Sequence, residues 1–301
     1  MSQNFLIVIV GPTAVGKTSL GIQLAQHFKT EIISADSRQF YREMNIGTAK
    51  PSAPELALIK HHLIDSHSIS EDYNVGQFER DVLHILEKIY QKHSLAILVG
   101  GSGLYVKAIC EGMDEMPDVP IEIREALSNR LKINGLDDLN KELEKLDPDY
   151  FAQVDKANPQ RIMRALEICL ATGKTYSSFR TKKKILRPFD IIKIGLDLPR
   201  EELYTRIDQR MDNMIAQGLL QEAQLLEPYK QQNALQTVGY QEIYGFMDGL
   251  YDWDEAVRLL KRNSRRYAKR QLTWFRQDLE IKWFSPSEYD LILHYITQKL
   301  A

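Results

Sequence analysis

Gly11-Pro12-Thr13-Ala14-Val15-Gly16-Lys17-Thr18 sits between a short apolar run, Phe5–Val10, and a segment, Ser19–Phe28, with apolar residues at helical spacing. The octapeptide fits G-x-x-x-x-G-K-[ST], and its flanks supply the strand and helix that the motif needs. The glycines let the backbone curl until its N–H groups point inward, and with the helix N-terminus those donors hold an anion. Lys17 adds a point charge for a terminal phosphate, and the Thr18 hydroxyl is suited to Mg2+. A purely structural glycine turn would not need this strand–loop–helix setting. Gly11, Thr13, Ala14, Val15, Gly16, Lys17 and Thr18 are therefore expected at bound phosphates. The motif leaves the ligand open, because a triphosphate such as ATP and a diphosphate use the same cradle.

Further strand-like runs are Glu31–Ser34, Leu95–Val99, Asp190–Leu196 and Ile281–Phe284. Asn74–Lys92 reads as a helix, with Val75, Phe78, Val82, Ile85, Leu86 and Ile89 on one face. Glu201–Leu226 reads as one long helix. Strands alternating with helices predict an α/β fold: a P-loop NTPase-like parallel sheet flanked by helices. The texture changes near Met113. Asp114–Pro120 is an acidic, proline-containing break, and residues 121–179 carry only helical patterns. Asn158 is a candidate cap before Pro159 in a first turn, Gly173 a candidate stop, and Thr181–Lys184 a short basic stretch. The expected organisation is an α/β core over residues 1–113 and 190–301, interrupted by an all-helical insertion over 114–189.

No apolar run approaches the roughly 20 residues that a membrane helix needs. The first residues lack a basic segment followed by a long apolar one, so a cytoplasmic location is expected. Two cysteines, Cys110 and Cys169, support neither a disulfide framework nor a zinc site and read as buried. The adjacent His61 and His62 point apart on any regular element, so hydrogen-bonding roles are expected rather than a metal pair.

An ordinary NTPase of this type places a metal-holding Asp at the end of another strand. Here the third strand ends Leu98-Val99-Gly100-Gly101-Ser102, without an acid, and the acid follows the second strand, at Asp36. Asp36 could orient Mg2+, act as a general base, or cap the next segment. Carboxyl ends of parallel strands converge on a ligand crevice, so Asp36 and Ser102 should both face it. Arg206 and Arg210, spaced i, i+4, share a helix face that can reach the phosphates; the plain alternative is a surface ion pair with Glu202. Net charge is −2, yet Arg258–Arg276 holds eight Lys or Arg and no Asp or Glu. Arg258, Arg262, Arg265, Lys269 and Arg276 recur near helical spacing, which suggests a basic stripe for a phosphate backbone. Tyr267, Trp274 and Phe275 lie among them, for stacking or for the core. A solvated helix face is the alternative.

Seven blocks occur in order: Gly11–Thr18, Ser34–Gln39, His61–Asp65, Gly100–Tyr105, Asn158–Arg161, Val238–Tyr240 and Lys269–Arg276. Together they resemble the tRNA dimethylallyltransferase (tRNA isopentenyltransferase) family in its bacterial form, over nearly the whole chain. The fourth block carries Ser102 where that family often has Thr, which keeps a hydroxyl. The resemblance implies transfer of a dimethylallyl group from dimethylallyl diphosphate to N6 of the adenosine 3′ of the anticodon, with Mg2+ at Thr18. Asp36 would be the base, helped by Ser102, Lys17 and Thr18, while Arg206 and Arg210 would join the diphosphate site. Expected tRNA contacts are Asp36, Ser37, Arg38, Gln39, Ser102, Arg124, Gln160, Arg161, Ile162, Met163, Arg164, Gly239, Tyr240, Lys269, Arg270, Trp274 and Arg276. The partners would be the tRNA anticodon stem-loop and dimethylallyl diphosphate, with the enzyme a monomer away from membranes. A nucleotide or small-metabolite kinase shares the loop and the arginine helix but explains neither the basic stripe nor Gln160–Arg164. A non-catalytic RNA-binding protein does not need an intact Lys17-Thr18 and Asp36.

Overall fold

A computed structural model describes residues 3–181 and 184–300. Lys182 and Lys183 of the basic stretch lie outside the described residues. Among the described residues six strands form one parallel sheet: β1 (Phe5–Val10), β2 (Ile32–Ser34), β3 (His61–His62), β4 (Leu95–Val99), β5 (Asp190–Leu196) and β6 (Lys282–Phe284), in the order β3-β2-β4-β1-β5-β6. The expected α/β class is thus observed. β1 is central, with Ile7 opposite Ile97 of β4 and Ile192 of β5. Strand alternation divides its side chains between two cores. Ile7 and Ile9 pack with the Lys17–Phe28 helix, Leu203, Ile207 and Ile296; Leu6, Val8 and Val10 pack with Phe78, Val82, Leu86 and Ile109. Both faces are covered, which is why β1 reads as an unbroken apolar run.

The chain divides into two compact units, Met1–Cys110 with Leu186–Ala301, and Glu111–Ile185. All regular elements of the second unit's described residues are helices, packed around Leu127, Leu139, Leu143, Ile162, Ala165 and Leu166. Asn158 accepts the Arg161 N–H at 3.2 Å, Pro159 opens the Pro159–Thr172 helix, and Gly173 ends it at φ 67°, as their residue types predict. In the first unit, the single helix expected over Glu201–Leu226 is two, Arg200–Ala216 and Leu219–Leu225. Gly218, at φ 104°, turns the chain between them. The basic segment is one 23-residue helix, Trp253–Phe275, capped by Asp252.

Candidate active site and nucleic-acid interface

The phosphate loop follows β1 at the centre of the sheet, where the crevice of such folds lies. Gly11 passes so close to β5 that a Cβ would stand 2.6 Å from the Leu196 carbonyl oxygen. Val15 is wholly buried under the loop, and Gly16, in the left-handed region at φ 105°, begins the Lys17–Phe28 helix. The Lys17 ammonium donates to the Pro12 carbonyl at 2.7 Å. Burial pushes its pKa down to about 8; Asp36 opposes that shift and Arg210 adds to it. Burial likewise lowers the pKa of Arg210, and Asp36 again opposes. Two partly buried cations at the phosphate loop thus both feel one carboxylate, Asp36.

Asp36 stands just beyond β2, on a turn fixed from both sides. Its Oδ1 accepts the Arg38 N–H at 3.0 Å, and the Ser102 hydroxyl accepts the Ser37 N–H at 2.8 Å. Gly100 lets β4 run against this turn, since a Cβ there would lie 2.1 Å from the Ala35 oxygen. Ser102 thereby braces the strand end that carries the acid. Tyr267, on the basic helix, lies in the same neighbourhood: burial raises its pKa first, and the Asp36 charge raises it further.

Arg206 is not gathered with these groups. Its guanidinium pairs with Glu202 at 2.8 Å, one turn earlier on an exposed face, while Arg210 comes within electrostatic reach of Lys17. Gln39, expected at the tRNA, already has its amide bonded within the protein. Its Nε2 donates to the carbonyls of Thr48 and Ala49 at 3.3 and 3.2 Å, and its Oε1 accepts from Ser34 at 3.1 Å. Thr13 gives its N–H to the Gln271 side chain at 2.8 Å. His61 bonds through Nδ1 to the Ile59 carbonyl and His62 through Nε2 to Glu31, each in its own direction.

Several residues expected at RNA are internal. Tyr240 is fully buried, and its hydroxyl donates to Glu222 at 2.6 Å. The Glu222 carboxylate also accepts the N–H groups of Asn45, Ile46 and Gly47 at 2.9, 2.8 and 2.9 Å. Tyr240 therefore braces the 45–47 loop, and Gly239 caps its helix by giving its N–H to Glu242. Ile162 is wholly buried in the helical unit, and Met163 packs against the same core. Arg124 and Arg164 both bind Glu167, at 2.9 and 3.0 Å, and Glu167 is only 3 % exposed. A carboxylate so desolvated needs both partners, which gives these two arginines a structural duty. Gln160 and Arg161 lie exposed in the first turn of their helix.

The basic helix is more compensated than its own sequence suggests. Arg258 pairs with Glu255, Lys261 with Asp212, Arg265 with Asp208 and Arg276 with Asp197, each at 2.6 Å. Three of those acids come from distant parts of the chain, so the segment alone hides them. Arg266, Lys269 and Arg270 remain exposed, and none makes an ion pair among the described residues; Arg270 lies over the Tyr267 ring at 5.7 Å. Phe275 is core, while Trp274, partly exposed, lies against Gly103 so closely that a Cβ there would sit 2.3 Å from its ring.

A loop of this sequence after the central strand of a parallel sheet, with a carboxylate just beyond β2 and exposed cations on the Trp253–Phe275 helix, defines a P-loop protein. The family described as IPP transferase matches residues 39–278, and the chain belongs to that family. It is 53 % identical over 297 residues to the tRNA dimethylallyltransferase of Cytophaga hutchinsonii, covering 99 % of this chain and 98 % of that one. Identity to the protein of the same name from Christiangramia forsetii is 53 % over 298 residues, or 99 % of each chain. Among solved structures, the tRNA isopentenylpyrophosphate transferase of Bacillus halodurans superposes with TM-score 0.74 at 38 % identity, covering 99 % of this chain and 97 % of that one. A eukaryotic dimethylallyltransferase described as acting on tRNA gives TM-score 0.76 at 30 % identity, over 90 % of this chain and 70 % of the other.

Proposed function

We propose that this enzyme transfers the dimethylallyl group of dimethylallyl diphosphate to N6 of the adenosine 3′ of the anticodon in tRNA, releasing pyrophosphate. The observation that carries the reading is the phosphate loop after β1, with Gly16 opening the Lys17–Phe28 helix, set beside the braced Asp36 turn after β2, where Lys17 and Arg210 both feel the Asp36 charge. Prenyl transfer needs a strongly cationic, water-poor site for a departing diphosphate and one base for the nucleophile. It does not need the strand-end acid of a nucleotide hydrolase, and the chain after Val99 runs Gly100-Gly101-Ser102.

The N6 amine is a poor nucleophile because its lone pair is delocalised into the adenine ring. As N6 attacks the allylic carbon, the N–C bond forms and the C–O bond breaks, leaving the bonding pair on the pyrophosphate oxygen. Asp36 accepts the N6 proton, worth about 10²–10⁴-fold for a well-placed base. Loop N–H groups, Lys17 and Arg210 stabilise the leaving charge, and do so more strongly where water is excluded. Ser102 keeps Asp36 in place through Ser37. The target base leaves the anticodon-loop stack to reach this depth, at small cost in a single-stranded loop.

The residues present fit Mg2+ as an auxiliary. Thr18 offers a hard oxygen in the first turn after the loop, and among the described residues no group of three His, Cys, Asp or Glu could hold a metal unaided. Thr18 with diphosphate oxygens would hold it, and a bound Mg2+ adds charge neutralisation at the leaving group. Arg266, Lys269 and Arg270 grip the RNA backbone, with Arg38 at the extruded base and Gln160 and Arg161 offering contacts on the helical unit. No described helix is long and apolar enough to cross a membrane.

The test is incubation with unmodified tRNA and labelled dimethylallyl diphosphate beside an ATP hydrolysis control. Label in tRNA is expected. ATP turnover without label would move the assignment to a kinase.

A further inference from the structure

Gln271 is 6 % exposed on the inner side of the Trp253–Phe275 helix, one turn after the wholly buried Ala268. Its amide makes two hydrogen bonds to backbone far away in the chain. Oε1 accepts the Thr13 N–H of the phosphate loop at 2.8 Å, and Nε2 donates to the Gly101 carbonyl at 2.9 Å. The fit around Gly101 is close, since a Cβ there would stand 2.3 Å from Nε2. One planar amide thus spans the loop that follows β1 and the turn that follows β4. The first would hold the leaving group. The second leads into Ser102, which braces the Asp36 turn through Ser37.

We infer that Gln271 is a positioning residue that holds the phosphate loop and the Gly101–Ser102 turn at one separation, so that leaving group and base stay in line. Neither substrate needs to touch it. Its loss leaves each half-site able to bind, but lets the two move independently. Misplacement by about 1 Å costs on the order of 10²-fold in rate. The same helix carries Lys269 and Arg270 on its exposed side, so the element that meets RNA is also the one that sets the catalytic spacing. Thr13 follows as a loop residue whose N–H serves the scaffold and is withheld from the diphosphate.

The role of Gln271 rests on the prenyl-transfer reading, and its test separates the two. Full-length wild type must first place label in tRNA; a wild type that does not refutes the reading itself. Gln271→Met keeps length and flexibility but removes both hydrogen bonds. We expect its single-turnover rate to fall about 10- to 100-fold, with KM for dimethylallyl diphosphate and affinity for tRNA each within about threefold of wild type. Gly101→Ala crowds the same amide from the opposite side without touching the identity of Gln271. It should show the same split and decides the matter should Gln271→Met not fold. A wild-type rate in a folded variant, or a loss confined to KM, overturns the inference. A lowered melting temperature with an unchanged rate would likewise leave Gln271 as packing only.

Discussion

Arg210→Ala separates what a cation does for the ligand from what it does for the fold. Burial disfavours the Arg210 charge more than Asp36 favours it, and Arg210 in turn works against the charge on Lys17. The free protein should therefore lose nothing when the guanidinium goes, and its melting temperature should hold or rise. The diphosphate complex should lose a charge-assisted interaction of about 1.5–3 kcal/mol, a 10- to 150-fold weaker Kd. Ligand-induced stabilisation reports this directly. At ligand near 100 times the wild-type Kd the gain is about 2.7 kcal/mol, and a 100-fold weaker variant keeps only about 0.4 kcal/mol. Thermal melts with and without dimethylallyl diphosphate, backed by calorimetric titration, measure both quantities. An unchanged Kd would remove Arg210 from the diphosphate site. A destabilised free protein with normal affinity would make it a scaffold residue like Arg164.

Three further outcomes follow from particular contacts. Asp36→Ala should retain tRNA binding while turnover falls about 10²–10⁴-fold; near-wild-type single-turnover rates would end its role as base. Tyr240→Phe removes a buried bond to the Glu222 carboxylate, so chemical denaturation should show about 1.5–3 kcal/mol lost with tRNA affinity unchanged; a selective loss of tRNA affinity at full stability would mean the hydroxyl serves RNA rather than Glu222. Neutralising Lys269 or Arg270 should lower the slope of log K against log salt by about one per residue, whereas neutralising Arg258, already paired with Glu255, should leave the slope at its wild-type value. Equal effects at all three positions would contradict the division of the basic helix.

The parts legible in the sequence are those fixed by local chemistry. Gly16-Lys17-Thr18 after an apolar strand, Pro159 after a capping Asn158, and Asp36 closing its strand each show themselves within a few residues. The parts that escape depend on partners far along the chain. Arg265 and Lys261 look unpaired until the Arg200–Ala216 helix brings Asp208 and Asp212 against them. Tyr240 belongs to a motif block, yet only the fold reveals Glu222 as the acceptor that draws it inside. Gln271 lies within another block, with nothing in its neighbours to indicate that it reaches Thr13 and Gly101. β3 is two residues long, too short for any period to register. The break between Ala216 and Leu219 does leave a signal: Gly218 interrupts an otherwise continuous helical pattern.

The most direct measurement of prenyl transfer follows both products of one reaction. Purified enzyme, unmodified tRNA, dimethylallyl diphosphate and Mg2+ are incubated, pyrophosphate release is counted, and the tRNA is digested for nucleoside mass analysis. The expected result is one pyrophosphate per N6-dimethylallyl adenosine, found at the position 3′ of the anticodon, with no inorganic phosphate formed. Pyrophosphate or phosphate release without a prenylated nucleoside would contradict it.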